Sequence, residues 1–164
     1  MKQDDSRPAR TNQHGISTES LAPTHSPAEE GQQPTATLPI SLDRKFRPRQ
    51  YSIGHSELKL RSIDSDAADD FIEVTFYGVV GMKLKTVYRP LSIALAEPAE
   101  TDEMLEFSDV RASQSPRVRC LALKSDSGDG LVACLSYSIW SHPREKDGES
   151  SGLPHPESVL ILRG

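Results

Sequence analysis

His55 and Ser56 stand side by side in Gly54-His55-Ser56, the two residue types a general base and a hydroxyl nucleophile require. Nothing around them completes the machinery. The segment is not Gly-x-Ser-x-Gly, and no strand–elbow–helix context follows it. A polar turn in which the His or the Ser bonds the backbone accounts for the same residues. A small-ligand-binding protein or hydrolase-like enzyme, using His55 with a spatially adjacent carboxylate, is therefore the alternative reading of the chain. No residue is assigned as catalytic.

Cys120 and Cys134 bracket a stretch dense in turn formers, Ser125-Asp126-Ser127-Gly128-Asp129-Gly130. A three-residue loop at Asp126-Ser127-Gly128, with Gly128 left-handed, would set 120 opposite 134. Both thiols would then share a face with Val118, Ala122 and Val132. That arrangement would permit a regulatory disulfide, but in a reducing compartment two small buried hydrophobes are expected. There is no Cys-x-x-Cys, and no His lies at zinc-ligand spacing from either cysteine.

Asp64, Asp66, Asp69 and Asp70 resemble a hard-cation loop. They lack the central Gly and terminal Glu of the calcium-loop pattern, so a solvated acidic loop is expected. His142 and His155 flank the polar segment 141–157 without a third ligand beside them. No Gly-rich phosphate cradle occurs, nor paired carboxylates on a recognisable scaffold. Neither a metal nor a cofactor is expected. Arg44-Lys45-Phe46-Arg47-Pro48-Arg49 sets cations around one aromatic; it reads as a grip for an anionic surface or as a solvated flank of the domain.

The elements that must position these residues follow from periodicity. Leu58 and Leu60 alternate with Lys59 and Arg61, the pattern of a half-buried strand. Ile72, Val74, Phe76, Val80, Met82 and Leu84 share one parity. That run is too long for one ordinary strand, so it either bends or bulges near Gly78 or Gly81, or divides there into two strands. Leu91, Ile93 and Leu95 alternate again. Residues 97–109 are acidic, with Met104, Leu105 and Phe107 as large apolars, and Pro98 suits a first helical position. A hairpin spans 117–140, with Leu121 and Leu123 sharing a parity with Leu131, Leu135, Tyr137 and Ile139. Val159-Leu160-Ile161-Leu162 reads as a central strand covered on both faces. Trp140, at a strand end, suits core packing or an interface anchor.

Composition divides the 164-residue chain near residue 48. Residues 1–48 are rich in Pro, Ser, Thr and Gln, and their few apolar residues follow no period; they read as a disordered tail. Residues 49–164 read as a single β-rich domain. The fold expected is all-β: an antiparallel sandwich or partly open barrel of about six to eight strands. With 19 Lys and Arg against 24 Asp and Glu the net charge is −5. The tail is balanced, so the deficit falls on the domain, which argues against nucleic acid as the main partner. The start of the chain lacks the apolar run of a signal peptide, and no stretch matches a membrane span, so a cytoplasmic protein without a membrane partner is expected.

Tyr51-Ser52-Ile53-Gly54-His55-Ser56-Glu57-Leu58-Lys59-Leu60-Arg61-Ser62 and Ile72-Glu73-Val74-Thr75-Phe76-Tyr77-Gly78-Val79 resemble the opening of a group of small bacterial β-proteins, some assigned as immunity proteins of polymorphic-toxin systems. The resemblance covers about a quarter of the chain and brings no functional residue with it. It implies a cytoplasmic, non-enzymatic, partner-binding protein. The function expected is thus a protein-binding module, of which a toxin-neutralising immunity-type protein is one form. The acidic excess suits a basic partner protein, met by Asp64, Asp66, Asp69 and Asp70, by the 97–109 segment through Glu103, and by Trp140.

Overall fold

The long alternating series from Ile72 to Leu84 builds the frame. In the computed structural model, which describes residues 37–63, 69–143 and 157–164, this series is two strands that belong to different sheets. The elements in chain order are β1 (Ile40–Leu42), β2 (Phe46–Ser52), β3 (Glu57–Ser62), β4 (Asp70–Tyr77), β5 (Gly81–Lys83), β6 (Leu91–Leu95), α1 (Pro98–Phe107), β7 (Arg119–Lys124), β8 (Gly130–Cys134), β9 (Ser136–Pro143) and β10 (Val159–Arg163). Sheet A has the order β10-β9-β4-β3-β2, and sheet B the order β1-β6-β7-β8-β5. All pairings are antiparallel. The two sheets pack as a sandwich, not a closed barrel. The strand number exceeds the expected range because the long series divides and because β1 and β5 are only three residues each.

The division happens at a corner. β4 pairs with β9 in sheet A, and their continuations β5 and β8 pair in sheet B. Between them the leucine amide at 135 donates to the Tyr77 carbonyl and the Val80 amide to that of Ala133, both at 2.9 Å. One antiparallel ribbon thus folds from sheet to sheet with its hydrogen bonding nearly unbroken. Gly78 turns the corner at φ +61, and a Cβ there would sit 2.7 Å from Leu135 Cδ1. Only glycine meets both demands.

Alternation fills the space between the sheets. Phe46, Leu58, Leu60, Val74, Phe76, Tyr137 and Ile139 enter from sheet A, and Leu91, Ile93, Leu121, Leu123, Val132 and Cys134 from sheet B. The inner polar group Ser62 accepts from the Ile72 amide at 2.9 Å, so its burial leaves no bond unmade. α1 covers the outer face of sheet B. Pro98 opens it, and a reciprocal capping box joins Glu97 and Glu100. Its Met104 packs on Cys120 and Ala133.

Three expectations are corrected. First, ordered pairing starts before residue 49: β1 pairs with β6, and Phe46 exchanges hydrogen bonds of 2.8 and 3.0 Å with Tyr88. Phe46 is the buried anchor of the cationic run. Residues 1–36 lie outside the described residues. Second, β7 and β8 pair one residue out of the expected register, Cys120 opposite Ala133 and Arg119 opposite Cys134. A slip of one reverses a side chain's face. Cys134 therefore lies in the inter-sheet core, and Cys120 under α1. Third, β10 is an edge strand, not a central one. A bulge between Leu160 and Leu162 sets Leu160 beside Trp140 and Leu162 beside Ile139, so consecutive apolars serve both faces while Val159 and Ile161 stay exposed.

Phe46→Ala is expected to cost about 3–5 kcal/mol in urea unfolding, the usual range for emptying a buried Phe site. A chain starting at residue 49 should lose its sharp thermal transition. Mild oxidation should leave both cysteines titratable as thiols after denaturation, because they face opposite sides of sheet B.

Candidate docking face

With α1 on sheet B, sheet A presents its outer face bare of any helix among the described residues. The residues there are those off the core parity: Glu57, Lys59 and Arg61 on β3; Phe71, Glu73, Thr75 and Tyr77 on β4; Ser138, Trp140 and His142 on β9. Register aligns them in rows across the strands. Arg61 faces Glu73, which faces Trp140; Lys59 faces Thr75, which faces Ser138; Phe71 faces His142.

At the centre Glu73 is only 6% exposed although it points away from the core. Lys59 Nζ approaches one of its carboxylate oxygens at 3.1 Å and Arg61 Nη2 the other at 3.0 Å. Burial pushes the Glu73 carboxyl up, but the hydrogen bonds from Arg61 and Lys59 outweigh it and hold the group below the ordinary range. Lys59 is correspondingly raised: burial opposes its charge, and Glu73 more than restores it.

An aromatic ladder runs beside this cluster. The Arg61 guanidinium lies 4.2 Å from the centre of the Phe71 ring. Phe71 stacks on His142 at 4.9 Å, and His142 on Trp140 at 6.3 Å. Trp140 Nε1 donates to Ser138 Oγ at 3.1 Å, and Tyr77 Oη bonds the same hydroxyl at 3.0 Å. His142 Nδ1 meets Ser158 Oγ at 2.7 Å. The face is therefore preorganised: flat aromatic rings and a guanidinium, held by one another rather than by the core.

The residues singled out in the sequence scatter. Trp140 lies on this face and outside the core. Glu103 lies on α1, against the other sheet, ion-paired with Lys83. Asp70 opens β4, where Ser141 Oγ donates to it at 2.7 Å and Arg44 Nη2 pairs with it at 2.9 Å. Those two contacts hold its carboxyl below the usual range. Asp69 is exposed, and Asp64, Asp66 and His155 lie outside the described residues. His55 is exposed on a one-turn helix, Ile53–His55. Its neighbour Ser56 adopts φ 48 and accepts from the Val79 amide at 2.8 Å, which ties this turn to the sheet corner. No His or carboxylate is bonded to the Ser56 hydroxyl among the described residues. Nor does any group of three or more His, Cys, Asp or Glu gather there as a metal site. Among the described residues no helix is long and apolar enough to cross a membrane.

Arg61, Phe71 and Glu73 are not singled out by the sequence reading, and His142 enters it only as a possible metal ligand. Their signal was parity: Phe71, like Trp140, is a large ring at an outward position of its strand.

Because the carboxyl of Glu73 is depressed on folding, its contribution is present above the unfolded carboxylate range and fades as pH falls through the lowered folded value. Glu73→Gln should therefore destabilise by about 1–3 kcal/mol at pH 7, and the gap to the native chain should close in strong acid. Urea titrations across pH measure this. Comparison with known proteins gives no match to a family model, to a curated protein or to a solved structure.

Proposed function

We propose that the chain is a non-enzymatic protein-binding module that docks its partner on the open face of sheet A. The observation that carries this reading is the ladder Arg61–Phe71–His142–Trp140, ordered on a sheet face that no helix covers among the described residues. Interface anchors are enriched in Trp and Arg held in rigid surroundings. A Trp and a Phe at outward strand positions, fixed by hydrogen bonding and stacking, match that description better than they match a core.

A toxin-neutralising, immunity-type role is the specific form we favour. It rests on the resemblance of residues 51–62 and 72–79, which lie on β2, β3 and β4 and so include part of the same face. A basic partner, suggested by the overall charge, would instead meet the α1 side, where Glu103 is exposed.

The test is capture from a native lysate with the full chain as bait, run beside Trp140→Ala. One stoichiometric partner is expected, with retention falling at least tenfold for the variant while its melting temperature stays within a few degrees. Undiminished capture by a folded Trp140→Ala chain would place the partner elsewhere.

A further inference from the structure

We infer that the partner segment docked on sheet A is acidic; this rests on the docking reading above. The chain as a whole is negative, yet this face is not. Among its strand residues the cations are Arg47 (opposite Arg61), Lys59, Arg61 and Arg163 (opposite Ser138), with Arg49 at the bulge of β2. The carboxylates are Glu57 and Glu73. Glu73 is already shared by Lys59 and Arg61, and Glu57 reaches Lys59 at 3.5 Å. Arg47 and Arg49 are exposed and form no ion pair among the described residues.

Among the described residues, the densest group of carboxylates is on the other side. Glu97, Glu100, Asp102, Glu103 and Glu106 belong to α1 and its cap, over sheet B, where Lys83 and Lys124 pair with Glu103 and Glu100. The described residues are thus polarised, acidic at the helix and basic along β2 and β3.

Two features argue that this is more than a solvated surface. Arg47 lies directly opposite Arg61 in the register, and like charges so placed destabilise a strand pair. Protection of an exposed edge explains cations on β2, but Pro48 and the bulge at Arg49 already obstruct strand addition there. Lys59 and Arg61 on the adjacent inner strand are engaged with Glu73, which leaves Arg47 and Arg49 as the cations without an ion pair among the described residues. A carboxylate-bearing chain laid across β2 and β3 would relieve the Arg47–Arg61 opposition and reach the rings at Phe71. Bidentate carboxylate pairing suits the arginine guanidinium groups. A nucleic acid would meet the same cations, and the oligothymidylate comparison below separates it from a carboxylate-bearing chain.

The test uses the full chain and a short fluorescein-labelled Glu/Tyr copeptide, followed by anisotropy at low and physiological salt. The Lys/Tyr counterpart and single-stranded oligothymidylate serve as comparisons. Expected are binding of the Glu/Tyr peptide that weakens with salt, at least tenfold loss for Arg47→Glu/Arg49→Glu, and no change for Glu103→Gln/Glu106→Gln. If the charge reversal impairs folding, Arg47→Ala/Arg49→Ala should still weaken binding several-fold. Equal binding of the Lys/Tyr peptide or of oligothymidylate overturns the inference, as does absence of Glu/Tyr binding or indifference to both arginine variants. Applied to a partner captured from lysate, the same variants separate the two ideas. Dependence on Trp140 without dependence on Arg47 and Arg49 would sink the acidic partner and keep the docking face. Independence from Trp140 would sink the face itself.

Discussion

The folded ribbon of β4–β5 against β9–β8 is the constraint on which the rest depends. It supplies two adjacent inner strands of sheet A and an edge pair of sheet B from one continuous antiparallel pairing. Its corner favours glycine: Gly78 is left-handed, and a Cβ there would displace the Leu135 side chain. Once the ribbon is folded, Val74, Phe76, Tyr137 and Ile139 face Val132 and Cys134 across the core. β3 and β2 then extend one sheet, and β7, β6 and β1 the other. The turn at Ile53–Ser56 is fastened to the same corner through Val79. That fastening gives a structural account of the His55-Ser56 pair with no chemistry attached.

The ribbon also decides which surface is free. α1 arises between two strands of sheet B, β6 and β7, and packs on that sheet through Met104. Among the described residues α1 covers one outer face, and the other orders itself. On sheet A the outward residues do so by pairing charges around Glu73 and stacking rings around His142. A buried, doubly paired carboxylate is a weak source of stability on balance. It does fix where two cations and their neighbouring rings point, and a surface used for recognition gains from that.

Periodicity carried the elements but not their assembly. Leu58 and Leu60, Ile72 to Phe76, and Leu91 and Ile93 point inward as alternation demands, and Pro98 starts the helix. Register was beyond it: the pairing of β7 and β8 is shifted by one residue, which sends the two cysteines to opposite faces. The start of the folded region was missed because β1 has three residues and β2 is loaded with Arg and Pro, a composition that edge strands share with linkers. β10 was misjudged for the reverse reason. Four consecutive apolars suggest burial on both faces, whereas a bulge lets an edge strand place Leu160 on one face and Leu162 on the other. The docking face is half legible: Trp140 stands out, but Phe71, Glu73 and Arg61 come to it from strands distant in sequence.

Net charge misled for a physical reason. At physiological ionic strength fields between exposed charges fade over about 8 Å, a distance spanning only two or so strands at their usual spacing of about 4.8 Å. A partner on sheet A is governed by Arg47, Lys59, Arg61 and Glu73, and scarcely by the carboxylates of α1 beyond sheet B. The whole-chain value of −5 averages two faces that no single partner meets together. The acidic helix side still matters at long range and low salt, where it would orient an approaching acidic chain away from α1 and toward the opposite sheet. Polarisation of this kind gives a small domain directional choice without a deep pocket, and here it follows from which sheet received the helix.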